Sequence, residues 1–411
     1  MQQSRNGSFD QLRALAIIPV LTHHFYSPWL PGGGLGVIVF FVLSGYLIGQ
    51  SLRNDTGGRL ALAAKFTIRR TLRIFPMYYL AVAVALVTMA LWSAPHLHNT
   101  LEALPQILTM TRRPYSPPGY SIEVMWSLYV EVAFYGLVAL SVLVFGFKRI
   151  TTPVFLCCAT VLSFWLTDYP YSLLGCMFIG LSLHSSAISS IRLKRPTLTA
   201  VACVVLIIAF YRLLDVERPV DSNFFFMSQY VVAAATAVFI LSTVQGARIP
   251  LVPGAPFIGR ISYSLYLVHA QVLDCLNNPS IIPPSFVQPW FYPALCLSIA
   301  SITYFLVERP YNRYAHFLCG QVDGAFQRAA KITATYRAGA IFSPHRNRTP
   351  ATSRPTVWLS RGRSSSGRQM QSPNRSNQIP RCRWQNGSTR SARQLPCSPG
   401  PVVRSAFSAR S

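Results

Sequence analysis

The sequence predicts an all-α, polytopic membrane protein, and two observations carry this prediction. Hydrophobic residues make up 51% of the 411 residues and charged residues only 12%, whereas roughly a quarter of the residues of soluble domains are charged. The apolar residues are also grouped in runs close to the roughly 20 residues that an α-helix needs to cross a bilayer. We therefore expect about ten transmembrane helices, at 11–29, 35–53, 74–93, 124–146, 151–167, 171–190, 198–214, 226–244, 261–278 and 289–307.

The distribution of lysine and arginine between these helices predicts the orientation of the chain. Under the positive-inside rule, connections rich in basic residues stay in the cytoplasm, so we expect both termini to be cytoplasmic. The predicted location is the inner (cytoplasmic) membrane, with the lipid bilayer as a partner. No cleavage site follows the first apolar run, so we expect that run to be retained. The basic connections are alternate ones: Arg5, 53–73, 148–149, 192–195, 248–260 and the segment after Arg309.

A change of composition near Gly320 predicts two regions: a membrane domain at 1–320 and a tail at 321–411. From Ala329 onward the tail is rich in Arg, Ser, Pro, Gln and Asn and has few aliphatic residues, so we expect disorder. Two interpretations remain open. The tail is either a polybasic segment that lies on anionic lipid or binds nucleic acid, or an unselected extension, which we favour. Because the tail accounts for much of the net charge of +25, we expect no nucleic-acid partner.

Ionisable residues inside the apolar runs are the first candidates for function, because such residues are costly in a membrane. Arg13 and His24 lie in the first run, about 16 Å apart along a helix. Glu131 follows Trp126 in the fourth run, and His269 lies in the ninth. Their depths predict that His24, Glu131 and His269 meet in the middle-to-outer half of the membrane. A neutral imidazole there can take a proton from a hydroxyl, and a carboxylate can orient it.

A second cluster, Lys65, Arg69, Arg70 and Arg73, is predicted to lie in the loop after the second helix. The three arginines are expected at the inner face together with Arg13 and Glu308. Planar guanidinium groups bind phosphates through two parallel hydrogen bonds. The cluster therefore predicts a site for a phosphorylated cytosolic donor. The chain shows no Cys/His spacing typical of a zinc site, so we expect no metal and no bound cofactor.

Structural explanations compete with each of these functional ones. Arg13 could extend to the lipid headgroups, and the arginine cluster could serve only to set the topology. His24, Glu131 and His269 could make structural hydrogen bonds between helices. The pair Ser44-Gly45 in the second run is interpreted as a small-residue packing contact rather than as a nucleophile.

Six segments of the chain, taken together, are distinctive: FDQLRALAIIPVLTHH, GGLGVIVFFVLSGYLI, FTIRRTLRIFPMYY, MWSLYVEVAFY, ISYSLYLVH and VERP. In this order, across residues 8–314, they resemble the acyltransferase-3 family of integral membrane acyl-CoA-dependent O-acyltransferases. The resemblance implies transfer of an acyl group, often acetyl, from cytosolic acyl-CoA as cosubstrate. The implied acceptor is a hydroxyl of a cell-surface glycan or of a glycosylated metabolite.

The same resemblance assigns roles to individual residues. It implies that His24 is the general base or a transient acyl carrier, with Glu131 or His269 as its partner, and that the arginines bind the donor's phosphates. Some members carry a fused extracytoplasmic hydrolase-like domain, which we expect this chain to lack. The family's motifs fall on Arg13 and His24, on Arg70 and Arg73 with Arg69 adjacent, on Trp126 and Glu131, on His269 and on Glu308.

Two hypotheses from other classes stay open at this stage. A transporter of a glycosylated or acylated compound would also use intramembrane Arg, His and Glu, as an ion relay. The absence of a repeat between the two halves of the sequence weakens that hypothesis. A membrane anchor that presents a basic tail would leave His24 and Glu131 without a role. The acceptor and the oligomeric state are not specified by the sequence.

Overall fold

The computed structural model describes residues 7–25, 33–92, 94–111, 122–166, 170–213, 223–250, 252–277 and 290–341. Residues 1–343 form one compact unit, and the second unit, 344–411, lies outside the described residues. The predicted disorder of the tail beyond residue 341 therefore stays a prediction. All regular secondary structure in the described part is helical.

The helices follow the apolar runs of the sequence, and the connections between them include short 3₁₀ turns at Glu123–Met125 and Tyr171–Leu173. In chain order the helices are α1 (Gly7–Phe25), α2 (Gly34–Asn54), α3 (Arg59–Trp92), α4 (Ala94–Glu102), α5 (Leu104–Thr109), α6 (Trp126–Phe145), α7 (Phe147–Ile150), α8 (Pro153–Leu166), α9 (Leu174–Ser182), α10 (Ser186–Ser189), α11 (Pro196–Leu213), α12 (Asn223–Val244), α13 (Ala255–Leu276), α14 (Phe291–Thr303) and α15 (Arg309–Ile341).

Five helical segments of the described chain are long and apolar enough to cross a membrane: Gly34–Asn54, Arg59–Leu91, Trp126–Phe145, Met227–Val244 and Phe291–Thr335. Three shorter apolar helices lie at Pro153–Ser163, Tyr171–Ser182 and Pro196–Tyr211. The remaining predicted spans coincide with α1 and α13, which carry the polar candidate residues and are not among the five. The all-α membrane fold is confirmed, and the count of ten spans stays a prediction.

Two predicted boundaries are wrong within the described residues. Arg69, Arg70 and Arg73 do not lie in a loop, because α3 begins at Arg59 and runs through all three residues into the apolar segment. No proline or glycine interrupts residues 59–75, so nothing in the sequence stops the helix. The span predicted at 171–190 is likewise shorter, since α9 ends at Ser182.

The predicted domain boundary at Gly320 is also passed by a continuous helix. A π-helical turn at Tyr304–Glu308 leads from α14 into α15, which continues to Ile341. The side chain of Asp323 lies 2.7 Å from the Lys65 ammonium on α3. Residues 321–341 are therefore helical, and the contact of Asp323 with Lys65 ties the first turn of this stretch to α3.

Helix α1 is held between α2 and α13 by close backbone contacts at two glycines. A Cβ atom on Gly259 of α13 would lie 1.7 Å from the Asp10 carbonyl oxygen, and one on Gly36 of α2 would lie 2.2 Å from the Ala16 carbonyl oxygen. Any larger residue at either position would push the helices apart. This packing, of the small-residue kind that membrane helices use, fixes α1 relative to α13.

Candidate functional site

A pair of histidines lies where α1 and α13 pack together. The rings of His24, in the last turn of α1, and His269, in α13, have centroids 5.0 Å apart and planes at 70°. His269 is fully buried, whereas His24 is exposed. The predicted proximity of these two residues is therefore confirmed, and one ring of this histidine pair is accessible from outside the protein.

Backbone hydrogen bonds set the tautomer of both rings. His24 Nδ1 lies 2.8 Å from the Val20 carbonyl oxygen, and His269 Nδ1 lies 2.6 Å from that of Tyr266. Because a carbonyl oxygen only accepts, each neutral ring must donate its Nδ1–H, which leaves Nε2 with the lone pair. His269 Nε2 is buried without a hydrogen-bond partner among the described residues. The histidine pair thus offers two proton acceptors.

Glu131 does not join this pair, and that part of the prediction is wrong. Its Oε1 accepts a hydrogen bond from Ser44 Oγ at 3.1 Å and another from the Tyr135 hydroxyl. No hydrogen bond or ion pair links Glu131 to either histidine in the described part of the chain. The physical reason is the packing of α6 against α3, which turns the carboxylate toward the arginines of α3.

A polar cavity of about 200 Å³ lies at the other end of α1 and α13. We call it the arginine cavity. It collects arginines from three helices: Arg13 of α1, Arg69, Arg70 and Arg73 of α3, and Arg260 of α13. The predicted clustering of Arg13 with the three arginines of α3 is therefore confirmed.

Two of these arginines are paired with carboxylates. Arg13 Nη1 lies 2.8 Å from Asp10 Oδ1, one turn earlier on α1, and that carboxylate is buried. Arg69 forms an ion pair with Asp55 at the end of α2. Each guanidinium still lines the cavity, so these pairs hold the arginines in place at its wall.

Arg70 and Arg73 are held in a different way. Arg70 is 8% exposed, and its guanidinium lies over the rings of Phe66 and Tyr135, at 5.8 and 5.3 Å from their centroids. Arg73 interacts electrostatically with Glu131 and with Glu308. Two carboxylates therefore offset the charge of this buried part of the cluster.

Glu308 lies in the π-helical turn that precedes α15, a geometry that is frequent at functional sites. Its Oε2 accepts a hydrogen bond of 2.9 Å from Ser264 Oγ of α13, and both residues are buried. Glu308 also lines the arginine cavity, so it lies with Arg13 and the arginines of α3, as predicted.

A second, smaller cavity of about 60 Å³ adjoins the arginine cavity. The two share Arg13, Arg73, Ser262 and Tyr263 as lining residues, and the smaller one also reaches Glu131 and Tyr266. The carbonyl of Tyr266 is the group that binds His269 Nδ1. Tyr266 thus lines the smaller cavity and, through its backbone carbonyl, also contacts His269.

Trp126 packs behind the wall of the smaller cavity. The indole packs edge-on against Phe41 with centroids 6.4 Å apart, and Phe41 lines the smaller cavity. The adjacent Ser127 donates a hydrogen bond of 2.9 Å to the Tyr266 hydroxyl. The first turn of α6 therefore fixes the wall between the two ends of the site.

Sequence reasoning missed four residues of this site: Arg260, Asn312 and His316, which line the arginine cavity, and Tyr135, which links Glu131 with Arg70. The spacing of Asn312 and His316, four residues apart on one helical face, was a usable signal. The last predicted span ended at residue 307, before both residues, so neither was considered.

Comparison with known proteins assigns the chain to a family. The acyltransferase-3 family, described as an acyltransferase domain, matches residues 6–308. A candidate O-acetyltransferase of Staphylococcus aureus (strain COL) is 24% identical over 349 residues, which cover 74% of this chain and 57% of the relative. The chain therefore spans a little over half of the length of such relatives. No solved structure significantly matches this chain.

Two further relatives match shorter segments. A candidate peptidoglycan O-acetyltransferase of Bacillus subtilis (strain 168) is 32% identical over 139 residues, 31% of this chain and 22% of the relative. The peptidoglycan O-acetyltransferase of Listeria monocytogenes is 43% identical over 81 residues, 20% of this chain and 13% of the relative. Since the family match covers most of the chain and the described helices include five long apolar ones, this protein belongs to the acyltransferase-3 family and is a multi-pass membrane protein.

Proposed function

We propose that the protein is an O-acyltransferase that moves an acyl group, with acetyl as the first candidate, from cytosolic acyl-CoA to a hydroxyl of a cell-surface glycan. One observation carries this proposal: the same two helices hold both ends of the site. On α1, Arg13 and His24 are about 16 Å apart, and on α13, Arg260 and His269 are about 14 Å apart. A donor anchored by its phosphates at one end can therefore reach an acceptor held at the other.

The proposed reaction needs only the acceptor hydroxyl, the thioester of the donor and His24. The acceptor oxygen attacks the thioester carbonyl carbon, a C–O bond forms, and the C–S bond breaks with the thiolate of coenzyme A as leaving group. His24 Nε2 takes the hydroxyl proton and returns it to the thiolate sulfur. Because Nδ1 of His24 is engaged by the Val20 carbonyl, Nε2 is the nitrogen in the right form for this transfer.

The acceptor is the least constrained part of the proposal. Two relatives carry names that specify peptidoglycan O-acetylation, which makes a peptidoglycan hydroxyl the first acceptor to test here. A glycosylated metabolite remains the alternative acceptor. The exposure of His24 supports an acceptor that approaches from outside the helix bundle.

The orientation of the chain is part of the same proposal, because acyl-CoA is cytosolic. Reporter fusions after Lys148 and Arg195 should give a cytoplasmic signal, and one near Pro284, which lies outside the described residues, an external one. The asymmetry of lysine and arginine supports this assignment. A cytoplasmic signal near Pro284 would place the arginine cavity on the external side, out of reach of cytosolic acyl-CoA.

Acyl transfer itself is tested with purified protein, labelled acetyl-CoA and a cell-envelope extract. We expect binding of the labelled donor and transfer of label to glycan. The competing transporter hypothesis draws support from the connected cavities, which a solute path would also need. Protein that neither binds acetyl-CoA nor labels glycan, yet moves a solute into vesicles, would establish the transporter and refute the acyltransferase.

A further inference from the structure

Helix α15 begins directly after residue 308, where the match to the acyltransferase-3 family ends. It nevertheless contributes three residues, Asn312, Ala315 and His316, to the wall of the arginine cavity. Residues three and four apart share a face of a helix, so one face of α15 looks into the cavity. A segment outside the family match thus helps to enclose the proposed donor site.

Polar contacts hold α15 against the turn of α3 that carries the cavity arginines. Lys65 is 2% exposed, and its ammonium lies 2.7 Å from Asp323 Oδ1 of α15 and 2.8 Å from the Thr56 carbonyl oxygen. One turn earlier on α15, the buried Cys319 Sγ lies 3.6 Å from Arg69 Nη1. The position of α15 is therefore tied to that of Arg69.

Asn312 and His316 are free to bind a ligand. Within the described residues neither side chain makes a hydrogen bond or an ion pair, and both are at least partly accessible. An amide and an imidazole both offer N–H donors for phosphate oxygens. Arg260, which lines the same cavity, adds a charged donor next to them.

The location of these residues indicates which part of a donor they would meet. Along α13, the arginine cavity is lined by Gly259 to Tyr263, the smaller cavity reaches Tyr266, and His269 follows. Helix α15 lines the arginine cavity and not the smaller one. It therefore lies at the end of the path that is most remote from the histidine pair, where the reacting thioester would not be.

We propose that α15 is part of the donor site and that Asn312 and His316 bind the phosphates of the adenosine 3′,5′-diphosphate portion of coenzyme A. The Lys65–Asp323 contact holds them in position. This inference rests on the proposed acyl-CoA donor. Because these contacts are remote from the thioester, they contribute to donor binding and leave the chemical step unchanged, so their loss raises KM without lowering kcat.

The test uses the purified full chain and two probes, adenosine 3′,5′-bisphosphate and acetyl-CoA, whose dissociation constants are measured by calorimetry. For Asn312→Ala and His316→Ala we expect each constant to rise about three- to tenfold, as the loss of one hydrogen bond predicts, with kcat retained. Asn312→Asp preserves the shape and adds a charge that repels phosphate, so it should weaken both probes more than Asn312→Ala.

Arg313→Ala is the matched control, because Arg313 is an exposed neighbour on α15 that does not line the cavity. It removes a positive charge and should leave both constants within about twofold of wild type, as expected for an exposed charge. Equal weakening by Arg313→Ala would show a general charge effect and overturn the assignment. So would wild-type constants in folded Asn312→Asp protein.

These outcomes separate the inference from the function on which it rests. Wild-type protein that binds acetyl-CoA and transfers the acyl group, with unchanged constants in the α15 variants, refutes only the role of α15. Wild-type protein that binds neither probe refutes the acyl-CoA donor and the role of α15 together.

Discussion

The arginine cavity and the histidine pair lie on the same helices and are built from opposite kinds of interaction. In the cavity, carboxylates accompany the arginines: Asp10 pairs with Arg13 and Asp55 with Arg69. At the histidine pair no carboxylate of the described residues contacts either ring, and backbone carbonyls alone engage both Nδ1 atoms. One end is organised by charge and the other by the direction of hydrogen bonds.

This difference indicates that the two ends perform different tasks. An arginine cluster kept in place by carboxylates suits the binding of an anion, since the guanidinium groups are oriented before the ligand arrives. A pair of imidazoles whose Nδ1 atoms face backbone carbonyls suits proton transfer, since the carbonyls direct the lone pair to Nε2 without a carboxylate. Variants at the two ends should therefore affect different steps, and the following predictions test that separation.

The largest effect is expected for His24→Ala. Loss of a general base lowers the rate about a hundred- to ten-thousand-fold, while acetyl-CoA binding should stay close to wild type because the arginines are untouched. His23→Phe is the matched control, since it changes the adjacent ring and keeps an aromatic side chain. Turnover and calorimetric binding are measured on the same preparations. Loss of acetyl-CoA binding in the His24→Ala protein would contradict the assignment of proton transfer and donor binding to different ends of the site.

Arg70→Ala and Arg73→Ala should show the reverse pattern. Each removes a charge-assisted contact worth roughly 1.5–3 kcal/mol, so the dissociation constant for acetyl-CoA should rise by about one to two orders of magnitude. Arg→Lys at either position should recover only part of the affinity, because an ammonium cannot form two parallel hydrogen bonds with a phosphate. Full recovery by lysine would mean that net charge, and not the guanidinium geometry, binds the donor.

Glu131→Gln decides to which end this residue belongs. Its position beside Arg70 and Arg73 predicts that loss of the charge leaves buried guanidinium groups undercompensated and destabilises the unliganded protein by about 1–3 kcal/mol. An anionic donor should restore more stability to this variant than to wild type. Thermal unfolding in detergent with and without acetyl-CoA measures both quantities. Unchanged stability combined with a loss of turnover like that of His24→Ala would place Glu131 with the histidines instead.

The smallest effect concerns the contact that attaches α15. The Asp323 side chain is 43% exposed. In an Asp323→Asn variant, Lys65 would still have the Asp55 carboxylate 3.7 Å from its ammonium. The substitution should therefore lower the free energy of unfolding by only about 1 kcal/mol. Arg328→Gln, an exposed change on the same helix, is the control.

Truncation after Ile341 should leave insertion and activity nearly intact, whereas truncation after Gly320 would also remove Asp323. Loss of folded protein after the cut at 341 would show that the tail contributes to the fold.

Much of the fold and of the site could be predicted from particular residues. The apolar runs located most helices to within a few residues, and Arg13 with His24 placed both ends of the site on α1. The start of α3 was predicted too late because charged residues were equated with a loop, although Arg59 to Phe75 lack any residue that ends a helix. Helix α15 was cut short because its stability comes from Lys65 and Arg69, which are distant in the sequence.

The sequence by itself determined the membrane class, the family and the placement of ionisable residues within apolar runs, because these depend on composition and local order. Only the tertiary structure decided which of them meet. Glu131 lies within the same depth range as the histidines along its own helix, yet the packing of α6 on α3 turns it to the arginines. His269 reaches His24 because Gly259 lets α13 approach α1 closely. The depth of a residue in the membrane follows from its position along one helix, whereas a contact between two residues depends on how their helices are rotated against each other.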